Sequence, residues 1–128
     1  MKILKPANIY SSPKYYPGLK AGNTIYTAGR VPVDIDGSVY APNDPKAQTR
    51  QIMECLQIIL AEGGATLNDV VYIHTYYLYE EDMAAIFEVY REFFGDHKPP
   101  HTGSRQDSKS WVEKGFRLEV EVTAVLEE

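Results

Sequence analysis

The chain has 128 residues, of which 44% are hydrophobic and 24% are charged, a composition typical of one folded domain and not of a disordered segment. Its net charge of −5 at pH 7 argues against a protein that holds nucleic acid through phosphate contacts, because such proteins carry a basic surplus. Its apolar runs are too short to cross a membrane, and we expect no signal peptide. The single Cys55 excludes an internal disulfide. We therefore predict one domain over residues 1–128 in the reducing cytoplasm.

Two short β elements are predicted before residue 40. The turn signal Gly22-Asn23 precedes residues 24–27, which are β-branched or aromatic and predict a strand. Residues 33–39 alternate apolar and polar side chains around an Asp-Gly pair, which predicts a small hairpin.

A helix is predicted next, with Asp44 as its N-cap and Pro45 in its first turn. Apolar side chains recur at helical spacing from Ile52 to Leu60, and a glycine pair then ends the helix. Cys55 lies on this apolar stripe. It is predicted to be a small core residue and not a nucleophile, because apolar burial raises the pKa of a thiol.

The second half of the chain predicts a strand, a helix, a loop and a strand. Residues 69–79 carry apolar or aromatic side chains on both alternating faces, which indicates that a helix or another subunit covers each face. Acidic residues 80–82 lead into a second helix that ends at Gly95. A loop over residues 96–110 precedes the alternating strand at 116–125. The order β-β-α-β-α-β predicts an α+β fold with its helices on one sheet face.

The three histidines do not form a convincing metal site. His97 and His101 are four positions apart, but Pro99-Pro100 between them excludes the helix that this ligand spacing requires. His74 lies in the middle of the strongest predicted strand. We interpret it as a packed histidine, with a catalytic base as the alternative.

Glu119 and Glu121 lie on one face of the last strand, where their like charges repel. Either they form a solvent-facing stripe, or Glu119 lines a pocket and orients a water molecule or a substrate amine. Arg30 and Arg105 each lie close to a glycine, where a guanidinium can clamp a carboxylate; the alternative is a surface arginine. Tyr15 and the strand tyrosines suit an interface or a ligand pocket, with core packing as the alternative.

Five motifs occur in the order in which a known family carries them. They are residues 19–32 (LKAGNTIYTAGRVP), 48–52 (QTRQI), 67–71 (LNDVV), 89–95 (VYREFFG) and 118–121 (LEVE). In this order the chain resembles the reactive intermediate deaminases, called YjgF or Rid proteins and also labelled endoribonuclease L-PSP or translation initiation inhibitor. The resemblance covers about residues 15–125.

The resemblance implies a chorismate-mutase-like α+β fold, with two helices on one sheet face, and a homotrimer whose sheets form a barrel with clefts between subunits. It also implies hydrolysis of 2-aminoacrylate and related enamine or imine acids to a keto acid and ammonia, without a metal or a cofactor. In the family an arginine binds the substrate carboxylate, and a glutamate on the last strand helps to place the attacking water. Glu119 matches that glutamate.

Several positions differ from the family pattern. Ala28 stands where the family has a serine before Gly29, Arg30 replaces a glutamine, and Phe87 replaces an asparagine of the second helix. We expect Gly29, Arg30 and Phe87 to contact substrate, with Tyr15 lining the cleft.

The family's arginine has two possible counterparts. Anchoring on the proline pair places Thr102 at its position, whereas counting back from Glu119 without gaps places Ser104 there. Arg105 is one residue further on, and a slip of one residue on a strand sends a side chain to the opposite face. A gap in the loop would restore its direction.

The sequence therefore predicts a trimeric hydrolase, free of metal and cofactor, that acts on a small anionic metabolite. Glu119 would place water, and Arg105 or Arg30 would hold the carboxylate. The substrate-binding set is Tyr15, Gly29, Arg30, Phe87, Thr102 and Ser104. The main alternative is a non-catalytic trimer that binds a metabolite or acts as a chaperone. A ribonuclease or translation inhibitor is a third reading from the family's labels, against which the charge of −5 counts.

Overall fold

The computed structural model describes residues 1–127 as one mixed six-stranded sheet with helices packed against it. The strands are β1 (Lys2–Leu4), β2 (Gly18–Ala21), β3 (Thr24–Thr27), β4 (Val70–Tyr77), β5 (His101–Arg105) and β6 (Leu118–Val125). The helices are α1 (Pro45–Glu62), α2 (Met83–Phe94) and the short α3 (Lys109–Lys114). The strands lie in the order β1-β2-β3-β6-β4-β5, and both long helices contribute to one core, so the predicted α+β fold is confirmed.

Local chemistry fixes both ends of α1 where the sequence predicts them. The Asp44 carboxylate accepts a hydrogen bond from the backbone N–H of Ala47 at 3.0 Å, and Pro45 occupies the first turn. Gly63 follows the last helical residue. Cys55 is buried on the apolar side of α1, as predicted, and burial raises the pKa of its thiol.

A buried ion pair holds the start of α2 to the start of β6. The acidic residues Glu80–Asp82 form a 3₁₀ turn that leads into α2. Arg117 donates two hydrogen bonds to the Asp82 carboxylate, at 2.8 Å from Nε and 2.9 Å from Nη2. The helix ends at Gly95, whose φ of 62° favours glycine. Over residues 1–127, no helix has both the length and the apolar character that a membrane span requires.

The register of β6 against β4 determines which side chains share a face. Glu119 lies opposite Tyr76, and Glu121 lies opposite His74. On the other side of β4, the parallel strand β5 places Ser104 beside Tyr76. Because partners on adjacent strands point to the same face, these five side chains lie together. We call the face that carries them the open face.

The other face of the sheet is the core face, which α1 and α2 cover. Leu118, Val120 and Ala124 of β6 are fully buried there, whereas the two glutamates between them are half-buried on the open face. Side chains of β4 alternate in the same way: Ile73 is buried on the core face, and His74 is half-buried on the open face. Helices thus cover one face of β4, and cover of the open face by another subunit stays a prediction.

Several elements differ from the sequence prediction. β5 and α3 both lie inside the predicted loop at residues 96–110. β5 has polar side chains and a glycine, so it lacks a strand pattern and depends on pairing with β4. The predicted hairpin at residues 33–39 is reduced to a single bridge between Val33 and Val39. β1 and β2 precede the first predicted strand and extend the sheet at its far edge.

Candidate active site

Glu119 lies directly against Gly29. A β-carbon on Gly29 would overlap Oε2 of Glu119, so this position has room only for glycine while the carboxylate keeps its place. Burial raises the pKa of Glu119, and the nearby carboxylate of Glu121 acts in the same direction. A carboxyl group with a raised pKa holds and releases protons closer to neutral pH than an ordinary one.

The two glutamates of the open face have different surroundings. Tyr76 donates a hydrogen bond to Oε1 of Glu121, and this contact raises the pKa of Tyr76 to about 12. Among residues 1–127, no group donates a hydrogen bond to Glu119. Glu119 is therefore the carboxylate that is available to accept a hydrogen bond from water or substrate.

Arg30 is a buried cation, and two of its side-chain nitrogens have no hydrogen-bond acceptor in the described part of the chain. Its backbone forms two hydrogen bonds with Val120, at 2.8 and 3.0 Å, so its side chain lies on the core face with Val120, and the residue is 6% exposed. Nη1 donates to the carbonyl oxygen of Tyr10 at 2.8 Å, whereas Nε and Nη2 are buried without a partner in the described part of the chain. The guanidinium also lies close enough to Cys55 to oppose part of the rise in its pKa. Two unsatisfied donors on a buried cation are costly, so this group is suited to an anion.

A small cleft adjoins Gly29 and Arg30. Its volume is about 20 Å³, enough for one water molecule. The residues that line it are Tyr10, Ser12, Tyr15, Pro17, Ala28, Gly29, Arg30, Val31 and Val33. Tyr15 is more than half exposed. The structure thus brings together three predicted substrate-binding residues, Tyr15, Gly29 and Arg30, and places Glu119 against the backbone of the second.

Arg105 and Glu119 do not meet within one chain. Arg105 is paired with Tyr77 on β4, and Tyr77 lies opposite Leu118 on β6. Leu118 belongs to the core face, so Arg105 leaves the sheet on that side, at the exposed edge, while Glu119 is on the open face. A hydrogen bond to Glu80 raises the pKa of Tyr77, and the charge of Arg105 acts in the opposite direction.

The other predicted site residues divide between the two faces. Thr102 and Ser104 are paired with His74 and Tyr76, which puts them on the open face with Glu119. Phe87 lies on α2 and packs its ring against His101, with 4.7 Å between ring centroids. Phe87 is therefore on the core side of the sheet.

Sequence reasoning missed the hydrogen bonds of His74. Its Nε2 lies 2.8 Å from Oγ of Ser104, and its ring stacks on Tyr76 with 4.2 Å between centroids. The alternation of β4 indicates the contact with Tyr76. The contact with Ser104 depends on the register of β5, an element that the sequence pattern does not reveal.

The sequence is similar to one protein family and to several of its members. The family model described as Endoribonuclease L-PSP matches residues 5–126. A RutC family protein of Pyrococcus abyssi is 40% identical over 98 residues, which are 77% of this chain and 73% of that protein. The 3-aminoacrylate deaminase RutC of Acinetobacter baylyi is 36% identical over 85 residues, which are 66% of this chain and 68% of that protein.

The fold has counterparts among solved structures. The crystal structure of E. coli TdcF with bound serine superposes with a TM-score of 0.87 at 26% identity and covers 99% of this chain and 100% of that chain. The predicted chorismate-mutase-like fold is thereby confirmed.

Proposed function

The chain belongs to the endoribonuclease L-PSP family, the YjgF or Rid proteins, and we propose that it hydrolyses small reactive imine or enamine acids to a keto acid and ammonia. The observation that carries this proposal is the carboxylate of Glu119, which packs against Gly29 with a raised pKa and accepts no hydrogen bond from residues 1–127. The 36% identity to a 3-aminoacrylate deaminase supports the same reaction class.

We assign to Glu119 the role of positioning and deprotonating the attacking water molecule. An enamine acid takes a proton on the carbon next to the nitrogen-bearing carbon and becomes an imine, and water then adds to the imine carbon. Glu119 accepts a proton from that water and returns it to the nitrogen; the carbon–nitrogen bond then breaks to release ammonia, while the new hydroxyl group loses its proton and becomes the carbonyl of the product. A carboxylate free of other hydrogen bonds, with a pKa raised by burial, suits this exchange of protons.

Arg105 of a neighbouring copy of the chain is assigned the substrate carboxylate, which can accept two parallel hydrogen bonds from a guanidinium. Within one chain, Arg30 and Arg105 both lie on the core face, because Arg30 is bridged to Val120 and Arg105 pairs with Tyr77, whereas Glu119 lies on the open face. Arg105 is exposed on the edge strand β5, where it can reach a second chain, whereas Arg30 is buried. Tyr15 lines the cleft beside Gly29 and supplies an aromatic wall.

A homotrimer is part of the proposal. A cleft of about 20 Å³ holds one water molecule and not a substrate, so a single chain needs a further wall and more room. The open face carries half-buried tyrosines and glutamates that suit an interface more than open solvent. Sedimentation at micromolar concentration should give three times the chain mass of 14.5 kDa. A stable monomer would contradict the trimer and a site shared between chains.

The activity test measures the release of ammonia together with the keto acid, or with the aldehyde acid that 3-aminoacrylate gives. The substrates are 2-aminoacrylate and iminopropionate, generated in place by a lyase or an amino-acid oxidase, and 3-aminoacrylate. Acceleration over spontaneous hydrolysis, proportional to enzyme concentration, supports the proposal. A rate equal to the spontaneous one for all three would contradict a deaminase of small imine acids.

A non-catalytic binding protein is the second candidate. It is favoured by E. coli TdcF, a relative whose structure holds bound serine, and by a cleft that offers an anion site at Arg30. Calorimetric titration with serine and with 2-ketobutyrate distinguishes it, since a binding protein takes up ligand but releases no ammonia from the reactive substrates. The ribonuclease reading predicts salt-dependent RNA binding, which a chain of net charge −5 does not favour.

A further inference from the structure

A second and much larger cavity lies on the core side of the sheet, between the end of α2 and β5. Its volume is about 530 Å³, within the range of ordinary small-molecule sites. The residues that line it are Ile73, Phe87, Tyr90, Arg91, Phe94, Gly95, Asp96, His97, Lys98, Pro99 and His101. We call it the α2–β5 cavity. None of its lining residues lines the cleft at Gly29 and Arg30.

The floor of the α2–β5 cavity is aromatic and held in place by hydrogen bonds. The hydroxyl of Tyr90 lies 2.6 Å from Oγ1 of Thr75, which is also 2.9 Å from Nε2 of His101. Phe87 packs edge-on against the ring of His101. Burial lowers the pKa of His101, which favours the neutral form of this ring. These contacts join the Tyr90 hydroxyl, Oγ1 of Thr75 and Nε2 of His101 to one another, and the aromatic residues Phe87, Tyr90 and Phe94 line the cavity.

The rim of the cavity has a surplus of positive charge. Arg91 and Lys98 are both exposed, and Asp96 is the acidic residue among the lining side chains. In the described part of the chain, neither cation forms an ion pair. His97 donates from Nε2 to the carbonyl oxygen of Val70 at 2.7 Å, which holds the rim loop against the sheet. A cationic rim on a chain of net charge −5 favours an anionic ligand.

We propose that the α2–β5 cavity binds a small aromatic carboxylate. Its ring lies among Phe87, Tyr90 and Phe94, and its carboxylate faces Arg91 and Lys98 at the rim. Apolar walls with a few convergent charged groups are the usual composition of such sites. The site lies on the other side of the sheet from Glu119, so it does not depend on the proposed deaminase reaction.

The test uses phenylacetate and its neutral isostere phenylacetamide as probes. Titration of ¹⁵N-labelled protein with phenylacetate should shift the backbone resonances of residues 87–101 and leave those of Gly29 and Glu119 in place. Phenylacetate should bind more tightly than phenylacetamide, because only the acid has a charge for the rim. Arg91→Gln and Lys98→Gln should each weaken phenylacetate by about tenfold and leave phenylacetamide unchanged.

The matched controls are Arg50→Gln and Lys109→Gln, which remove surface cations from α1 and α3 and should leave both probes unaffected. Equal affinity for the two probes would overturn the proposal, as would shifts centred on Gly29 and Glu119. Sedimentation of Arg91→Gln and Lys98→Gln completes the test. A changed oligomeric mass would show that another copy of the chain covers this surface, and it would also overturn the proposal.

Discussion

Tyr76 donates its hydroxyl hydrogen to Glu121 and leaves Glu119, two residues earlier on the same face of β6, as the carboxylate that lies against Gly29. One strand thus offers two glutamates with distinct environments. The first is half-buried and free of donors in residues 1–127, and the second is held by a tyrosine. This difference makes Glu121 the natural control for any substitution of Glu119.

The first prediction compares Glu119→Gln with Glu121→Gln. Loss of the proposed base should lower kcat by about 10²- to 10⁴-fold in Glu119→Gln, whereas Glu121→Gln should keep most of it. The KM of Glu119→Gln should change little, because the substrate carboxylate is assigned to Arg105 of a neighbouring chain and not to Glu119. Initial rates of ammonia release over a range of substrate concentrations give both kcat and KM. Equal losses in the two variants would mean that Glu119 has no particular part in the reaction.

The second prediction concerns stability against pH. Burial raises the pKa of Glu119 above its ordinary value of 4.5, so between these two values the folded chain binds more protons than the unfolded chain. Stability from this group is therefore fully present below pH 4.5 and is lost as pH rises through the pKa of the folded state. Glu119→Gln removes the cost of the buried charge, so it should unfold at a higher temperature than wild type at pH 7.

Thermal unfolding of both proteins between pH 4 and pH 8 tests this. The difference in Tm should shrink as pH falls from 8 to 4, because Glu119 becomes protonated in the folded state and no charge is then buried. Glu121→Gln serves as the control for a general change in charge. A difference that grows on acidification would contradict a raised pKa at Glu119.

The sequence predicts α1, α2, β4 and β6 because each has a regular pattern of apolar residues and clear end signals. β5 has no such pattern, and only its pairing with β4 defines it. The direction of Arg105 follows from the same pairing. Residue spacing alone does not decide to which face of the sheet Arg105 points. The register with Tyr77 assigns it to the core face.

The candidate site is predictable in part. The motifs that contain Gly29 and Glu119 indicate the glutamate. The alternation of side chains along the strand places Glu119 on the other face from its neighbours Leu118 and Val120. The burial of Arg30 is not predictable in this way, since it depends on how the segment around Tyr10 folds over it. A lone arginine beside a glycine has the same sequence signature whether it is buried or exposed.

The third prediction separates Arg30 from Arg105. Hydrogen bonds to charged groups contribute about 1.5–3 kcal/mol, so Arg105→Gln should raise KM by about tenfold or more. Arg105→Lys should also bind poorly, because one ammonium cannot reproduce two parallel hydrogen bonds. Arg30→Gln should leave KM unchanged, because the Arg30 side chain lies on the core face with Val120. A raised KM in Arg30→Gln and an unchanged KM in Arg105→Gln would contradict a clamp supplied by a second chain.

The fourth prediction tests the contact between Gly29 and Glu119. In Gly29→Ala the new methyl group would overlap Oε2 of Glu119, so the carboxylate must move, and kcat should fall although the residue itself has no chemical group. The same substitution should lower the free energy of unfolding in wild type. In a Glu119→Ala background the carboxylate that would clash is absent, so Gly29→Ala should lower the free energy of unfolding much less there. Urea unfolding of the four proteins gives the coupling free energy, and additive effects would show that the two residues do not restrict one another in solution.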